Sequence, residues 1–124
     1  MKILSIDDSS IVRKIIRGAV ETLGYELLEA CDGIEGFLVL EKEYKDIGLI
    51  LLDWNMPGMN GYEFLKKVKA HNVYKKIPVM MVTTETEEGN IVRSIQAGAE
   101  NYMIKPFTIE EMMKKILECL GNGC

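Results

Sequence analysis

Leu49 to Leu52 are consecutive aliphatics that stop on a carboxylate, Asp53, and give way at once to the turn pairs Pro57-Gly58 and Asn60-Gly61. The run is too short for a helix and has no polar face, which leaves a strand buried on both sides. Such strands belong to parallel sheets, whose ligand crevice lies outside the carboxyl ends of the strands. Asp53 falls at such an end. This one stretch therefore predicts an architecture and a place for chemistry within it.

The rest of the chain repeats the rhythm. Lys2–Ile6 reads as a strand ending at Asp7-Asp8, and Ser9 or Ser10 caps a helix with apolar positions Val12, Ile15, Ile16, Ala19, Val20 and Leu23, stopped by Gly24. Tyr25 to Ala30 reads as a second strand, with Glu26 and Glu29 suiting a sheet edge. Asp32-Gly33 turns into a helix bearing Ile34, Phe37, Leu38 and Leu40, interrupted by Gly36 and ending near Tyr44 to Gly48. After the Asp53 strand, Gly61 to His71 predicts a third helix, with Phe64, Leu65 and Val68 inward and Lys66, Lys67 and Lys69 outward. Val79 to Val82 is the fourth strand, ending at Thr83-Thr84 and an acidic loop, and the next helix carries Ile91, Val92 and Ile95 as far as Gly98. Tyr102 to Ile104 is the fifth strand, ending at Lys105-Pro106. The last helix opens on a capping box, Thr108 with Glu111, and bears Ile109, Met112, Met113, Ile116, Leu117 and Leu120. Five strand–helix units with short loops predict one α/β domain over residues 1–124, a doubly wound parallel sheet with helices on both faces.

Composition narrows the function classes. With 124 residues and a net charge of −4, and with its lysines spread over several segments, the chain shows no basic stripe for nucleic acid. Its longest aliphatic run is far below the ~20 residues that cross a bilayer, so no membrane association is expected. Asp7 and Asp8 precede any long apolar region, which argues against a secretory signal and for the cytoplasm. Cys31, Cys119 and Cys124 lack metal-ligand spacing and read as reduced thiols. His71 sits in a polar loop as a bystander, and Met80, Met81, Met112 and Met113 read as core filler.

In a parallel sheet the strand ends meet along one edge, so Asp7, Asp8, Asp53, Thr83 and Lys105 are expected to gather. A threonine at a strand end or a lysine before a proline carries no chemistry alone; the joint placement does. Three carboxylates in one crevice repel, so one must bind a proton or a cation must sit among them. Mg²⁺ suits oxygen ligands such as carboxylates and a loop carbonyl, and shares its shell with phosphate. Lys105 adds a second positive charge and Thr83 a hydroxyl donor. The set suits an incoming phosphoryl group with Asp53 as nucleophile, giving an aspartyl phosphate.

The residues Asp7-Asp8, DWNMPGMNG from Asp53, VTTE from Val82, QAGA from Gln96 and YMIKPFT from Tyr102 together resemble a response-regulator receiver domain, over the whole chain. Within that family the likeness is to single-domain chemotaxis regulators of the CheY type. It implies a flavodoxin-like (βα)5 fold with strand order 2-1-3-4-5 and a cis Lys105-Pro106 bond. It also implies that Asp53 takes a phosphoryl group from a histidine kinase, with Mg²⁺ held by Asp8, Asp53 and the Asn55 carbonyl and by Asp7 through water. Lys105 and Thr83 would contact the phosphoryl oxygens. Thr83 would then draw the switch residue Tyr102 inward and reshape a partner surface that includes Ile91, Tyr102, Ile104 and Lys115.

By the same resemblance the partners are a chemotaxis-type kinase, the flagellar motor switch or another output protein, and a phosphatase if there is one. The chain is expected to be a monomer without an output domain, and a switch that catalyses only its own phosphorylation and dephosphorylation. Two positions depart from the family pattern: Thr84, where a small residue is common, and the acidic run Glu85-Thr86-Glu87-Glu88. Asn55 and Glu85 match the chemotaxis type and predict a short phosphoryl lifetime. A phosphorelay intermediate, passing the group to a histidine phosphotransfer protein, is the nearest alternative. A haloacid-dehalogenase-like phosphatase needs an acid where Asn55 stands. An FMN carrier would meet repulsion from Asp7-Asp8.

Overall fold

The structure, a computed structural model, describes residues 1–84 and 88–121. Glu85, Thr86, Glu87 and Cys124, named above, lie outside them. In chain order the elements are β1 (Lys2–Ile6), α1 (Ser10–Thr22), β2 (Glu26–Ala30), α2 (Gly33–Glu43), β3 (Ile47–Leu52), α3 (Gly61–Ala70), β4 (Val79–Thr83), α4 (Glu88–Gln96), β5 (Asn101–Ile104) and α5 (Ile109–Cys119), with a short 3-10 turn over Tyr74–Lys76 between α3 and β4. The strands pair in parallel in the order β2-β1-β3-β4-β5, as expected. β2 is an edge strand, which suits Glu26 and Glu29.

β3 is buried on both faces because its side chains alternate between two cores. Ile50 and Leu52 pack with Leu40, Phe64, Leu65 and Val68 of α2 and α3. Leu49 and Leu51 pack with Ile16, Ala19, Val20, Met112 and Ile116 of α1 and α5. Each such side chain contributes about 1.5–3 kcal/mol when fully buried. The strand before Asp53 is therefore the most firmly held backbone from which to project a functional group.

Of the two candidate caps of α1, Ser9 is the one used, its hydroxyl accepting from the Val12 amide at 3.3 Å. Several other local expectations need correction. Gly36 does not interrupt α2: it is buried within a continuous helix, and a Cβ there would lie 2.7 Å from Ile6 Cδ1 and 3.1 Å from the Phe64 ring. Glycine at this point lets α2 lie close on the sheet. Ile34 and Leu38 face outward, at 69% and 55% exposed, because Gly33, Gly36 and Leu40 make the inner stripe instead. β3 and β5 each begin before the apolar run does, at Ile47 and Asn101. Lys69 turns in: it donates to the Ile77 carbonyl at 2.8 Å and the Lys75 carbonyl at 3.2 Å and pairs with Glu100 at 2.9 Å. Glu100 in turn accepts from the Val79 amide at 2.9 Å, so this lysine ties α3 to the start of β4. Among the described residues no helix is long and apolar enough to cross a membrane.

Candidate functional site

The carboxyl ends of β1, β3, β4 and β5 meet as the topology requires, and backbone hydrogen bonds fix them to one another. The Asp53 amide donates to the Ile6 carbonyl at 3.0 Å, and the Lys105 amide to the Thr83 carbonyl at 2.9 Å. Beyond β3 the chain turns back so that the Gly61 amide donates to the Trp54 carbonyl at 2.8 Å. That approach requires glycine, since a Cβ at Gly61 would fall 2.2 Å from the Asp53 carbonyl oxygen. Asn60 and Glu63 form a reciprocal capping box at the start of α3. The loop carrying Asp53 is thus closed by a firmly capped helix.

Within this frame one carboxylate oxygen from each of Asp7, Asp8 and Asp53 comes within 4.8 Å of the others. Asp7 is 1% exposed and Asp53 5%, whereas Asp8 faces solvent. The Lys105 ammonium lies 2.9 Å from Asp7 Oδ2 and 3.5 Å from Asp53 Oδ1. The Asp7 contact is one of charge and not a directed hydrogen bond, so that buried oxygen retains accepting capacity. Asp7 Oδ1 accepts from the Ser9 amide at 2.8 Å, and Asp53 Oδ1 from the Asn55 amide at 3.3 Å.

Burial pushes the Asp53 carboxyl up to about 6, with the Asp7 charge adding to the effect and Lys105 and the Asn55 amide opposing it. A single lysine does not offset two buried carboxylates. The donor set is oxygen only, with an under-bonded buried oxygen, and it fits a hard divalent cation such as Mg²⁺. The Asp53 carboxylate also has the Lys105 cation beside it, and an anionic oxygen next to cations is a combination able to accept an electrophilic phosphoryl centre.

Thr83 is buried at the end of β4, and Thr84 beside it is exposed. Thr83 lines a small apolar cavity of about 10 Å³ with Trp54, Met81, Asn90, Ile91, Ser94 and Tyr102. Tyr102 is 37% exposed, with the Lys115 ammonium 5.5 Å from its ring centroid. Of the expected partner-surface residues, Ile91 faces this cavity in part, Tyr102 is exposed, and Ile104 and Lys115 are half-buried. The Lys105-Pro106 bond is cis.

Sequence reasoning did not find the cavity wall formed by Trp54, Asn90 and Ser94. It also missed the stack of Tyr62 on Trp54, with ring centroids 5.5 Å apart. No periodicity or local motif links these positions.

A family model described as the response regulator receiver domain matches residues 3–117. The chain is 42% identical to a chemotaxis protein CheY homologue of Campylobacter jejuni, over 99% of this chain and 95% of that protein. Among solved structures it is similar to the chemotaxis protein CheY4 of Vibrio cholerae, at 36% identity and a TM-score of 0.84, covering 96% of this chain and 98% of that one. It is also similar to the response regulator Rcp1 in its Mn²⁺-bound form, at 27% identity and a TM-score of 0.79, covering 94% and 89%.

Proposed function

The chain belongs to the response regulator receiver domain family, and from that premise we propose that it is a phosphoacceptor switch in which Asp53 takes a phosphoryl group from a histidine kinase. The observation that carries the reading is the buried Asp53 carboxylate, sharing one crevice with Asp7 and Asp8 and touched by Lys105. An Asp53 oxygen attacks the phosphorus of a phosphohistidine, the P–N bond breaks with its electron pair returning to the imidazole, and an acyl phosphate remains. Lys105 would pair with a phosphoryl oxygen while keeping Asp7 in contact, and the Thr83 hydroxyl would donate to another. Asp8, Asp53 and the Asn55 carbonyl would hold Mg²⁺, with Asp7 acting through water; when bound, the ion neutralises charge on the transferring group. The Mn²⁺-bound state of Rcp1 supports a divalent ion in this family.

The output follows from the cavity. Thr83, drawn toward a phosphoryl group on Asp53, vacates space that Tyr102 can fill, and this changes the surface carrying Ile91, Tyr102, Ile104 and Lys115. The Campylobacter relative's name supports chemotaxis as the setting, with a chemotaxis-type kinase upstream and the flagellar motor switch as reader. A kinase that draws on ATP places this exchange in the cytoplasm. The test is intact-mass analysis with acetyl phosphate, in Mg²⁺ and in chelator, on the wild type and Asp53→Asn. A single phosphoryl adduct that needs Mg²⁺ and is lost in the variant is expected; an adduct that persists in Asp53→Asn refutes the assignment.

A further inference from the structure

α4 supplies one wall of the Thr83–Tyr102 cavity, yet apolar burial does little to fix it. Among its described residues only Ser94 is buried, while Val92 and Ile95 are 43% and 44% exposed. Something else must set its distance from the sheet. The Arg93 guanidinium carbon lies 4.6 Å from the centroid of the Tyr62 ring on α3, and that ring stacks on Trp54 at 5.5 Å and 29°. Trp54 follows Asp53 directly and lines the cavity together with Asn90 and Ile91 of α4. Tyr62 is itself held in place by the capping box of α3 and by the Gly61–Trp54 hydrogen bond. A continuous series of contacts therefore runs from the Asp53 backbone through Trp54 and Tyr62 to α4.

We infer that the Tyr62–Arg93 contact clamps α4 against the sheet, keeps the Thr83–Tyr102 cavity closed, and so makes Tyr62 and Arg93 positioning residues that set how readily the protein switches. A void of about 10 Å³ holds one water at most and cannot take a phenol ring. Tyr102 enters only if a wall moves. Met81 is fixed in β4, an inner strand, and a shift of the Thr83 side chain frees less room than a phenol ring fills, so α4 is the wall that must also give. The clamp acts against that motion. At an exposed site a cation–π contact shifts an equilibrium by about 2- to 5-fold. Arginine suits the role better than lysine because its planar head stacks on the ring. The Lys66 ammonium, 5.3 Å from the same centroid, sits on α3 with Tyr62 and cannot restrain α4.

The inference rests on the phosphoacceptor reading, and its test keeps the two separable. Arg93→Ala, Arg93→Lys, Tyr62→Leu and the double variant Tyr62→Leu/Arg93→Ala are compared by amide hydrogen exchange in α4 and α5 without phosphodonor. They are then titrated with beryllofluoride and Mg²⁺, followed by the midpoint of the Trp54 fluorescence change. Expected are about 2- to 5-fold faster exchange in α4 with α5 unchanged, and a midpoint about 2- to 5-fold lower, for either single variant. The double variant should match the singles, and Arg93→Lys should fall between wild type and Arg93→Ala. Unchanged α4 exchange, additive single effects, or faster exchange with an unmoved midpoint each overturn the inference. A wild type that ignores beryllofluoride overturns the phosphoacceptor reading instead, and the exchange data then still decide whether the contact holds α4.

Discussion

Replacing Asp53 by asparagine is expected to stabilise the metal-free protein at neutral pH, although it removes the residue on which the site depends. The carboxyl of Asp53 stands at about 6 in the folded chain against 3.8 for an ordinary aspartate, a rise of about two units. At 1.36 kcal/mol per unit this corresponds to about 3 kcal/mol. The folded state binds the proton more tightly than the unfolded one. The favourable contribution is therefore fully present below pH 3.8 and is lost as pH rises through about 6. Above that, the folded protein carries the whole cost of holding an ionised Asp53 beside Asp7. Asparagine keeps the shape and carries no charge. The opposing contact with Lys105 is already contained in that rise, so the expected net gain is about 3 kcal/mol at pH 7.5.

Urea unfolding in chelator at pH 7.5, 6 and 4.5 measures this directly. The variant's advantage should be largest at pH 7.5 and shrink steadily toward pH 4.5. Adding Mg²⁺ should narrow the variant's advantage, because the ion stabilises the wild type by about 1.4 kcal/mol at ten times its dissociation constant and the variant by less. A variant less stable than the wild type at pH 7.5 in chelator, by a margin that does not change with pH, would refute the claim that buried like charges dominate this site.

Lys105→Ala removes the cation touching both buried carboxylates and should cost about 3 kcal/mol at pH 7.5 in chelator, less when Mg²⁺ is added, as read from urea midpoints. Two glycines should behave differently on substitution. Gly61→Ala drives a Cβ into backbone and should cost more than about 3 kcal/mol, while Gly36→Ala meets the movable tip of Ile6 and should cost about 1 kcal/mol, both seen in thermal melts. Lys69→Met keeps the stem but leaves the carbonyls of Lys75 and Ile77 without their donor, with an expected loss of about 1–2 kcal/mol in urea that salt barely changes. Thr84→Ala, at an exposed position beside Thr83, should leave stability within about 0.5 kcal/mol and quicken phosphoryl uptake from acetyl phosphate; uptake at the wild-type rate would clear Thr84 of any obstructing role.

The strands and the site were legible for the same reason. A short aliphatic run that ends on a polar residue marks both a buried strand and its exit, and in a parallel sheet all exits share one edge. That is how Asp7, Asp8, Asp53, Thr83 and Lys105 could be grouped although they are scattered along the chain. Side-chain direction was less legible. Ile34 and Leu38 have the right composition for a core and the wrong phase, because Gly36 supplies the inner stripe by lacking a side chain. Lys69 reads as one lysine of a wet face until carbonyls at the end of a short turn, and Glu100 from a distant segment, recruit it. Tyr62 and Arg93 meet only because α3 and α4 lie on one face of the sheet. Contacts of that kind depend on helix placement that no local pattern encodes.

The legible and illegible parts of the site differ in energetic character as well. Asp53 stands where the fold would be more stable without its charge, and a residue kept against its own cost is conspicuous in a sequence: an acid that ends a fully apolar strand gives that strand nothing. The contacts that place α4 are the opposite case. Each is worth little, lies near the surface and uses ordinary residue types, so nothing in composition marks it. A switch needs both kinds. The costly cluster makes the site responsive to a cation or a phosphoryl group, since relieving buried charge supplies free energy. The weak clamp keeps the helix that must move within reach of that free energy, which a well-buried helix would not be.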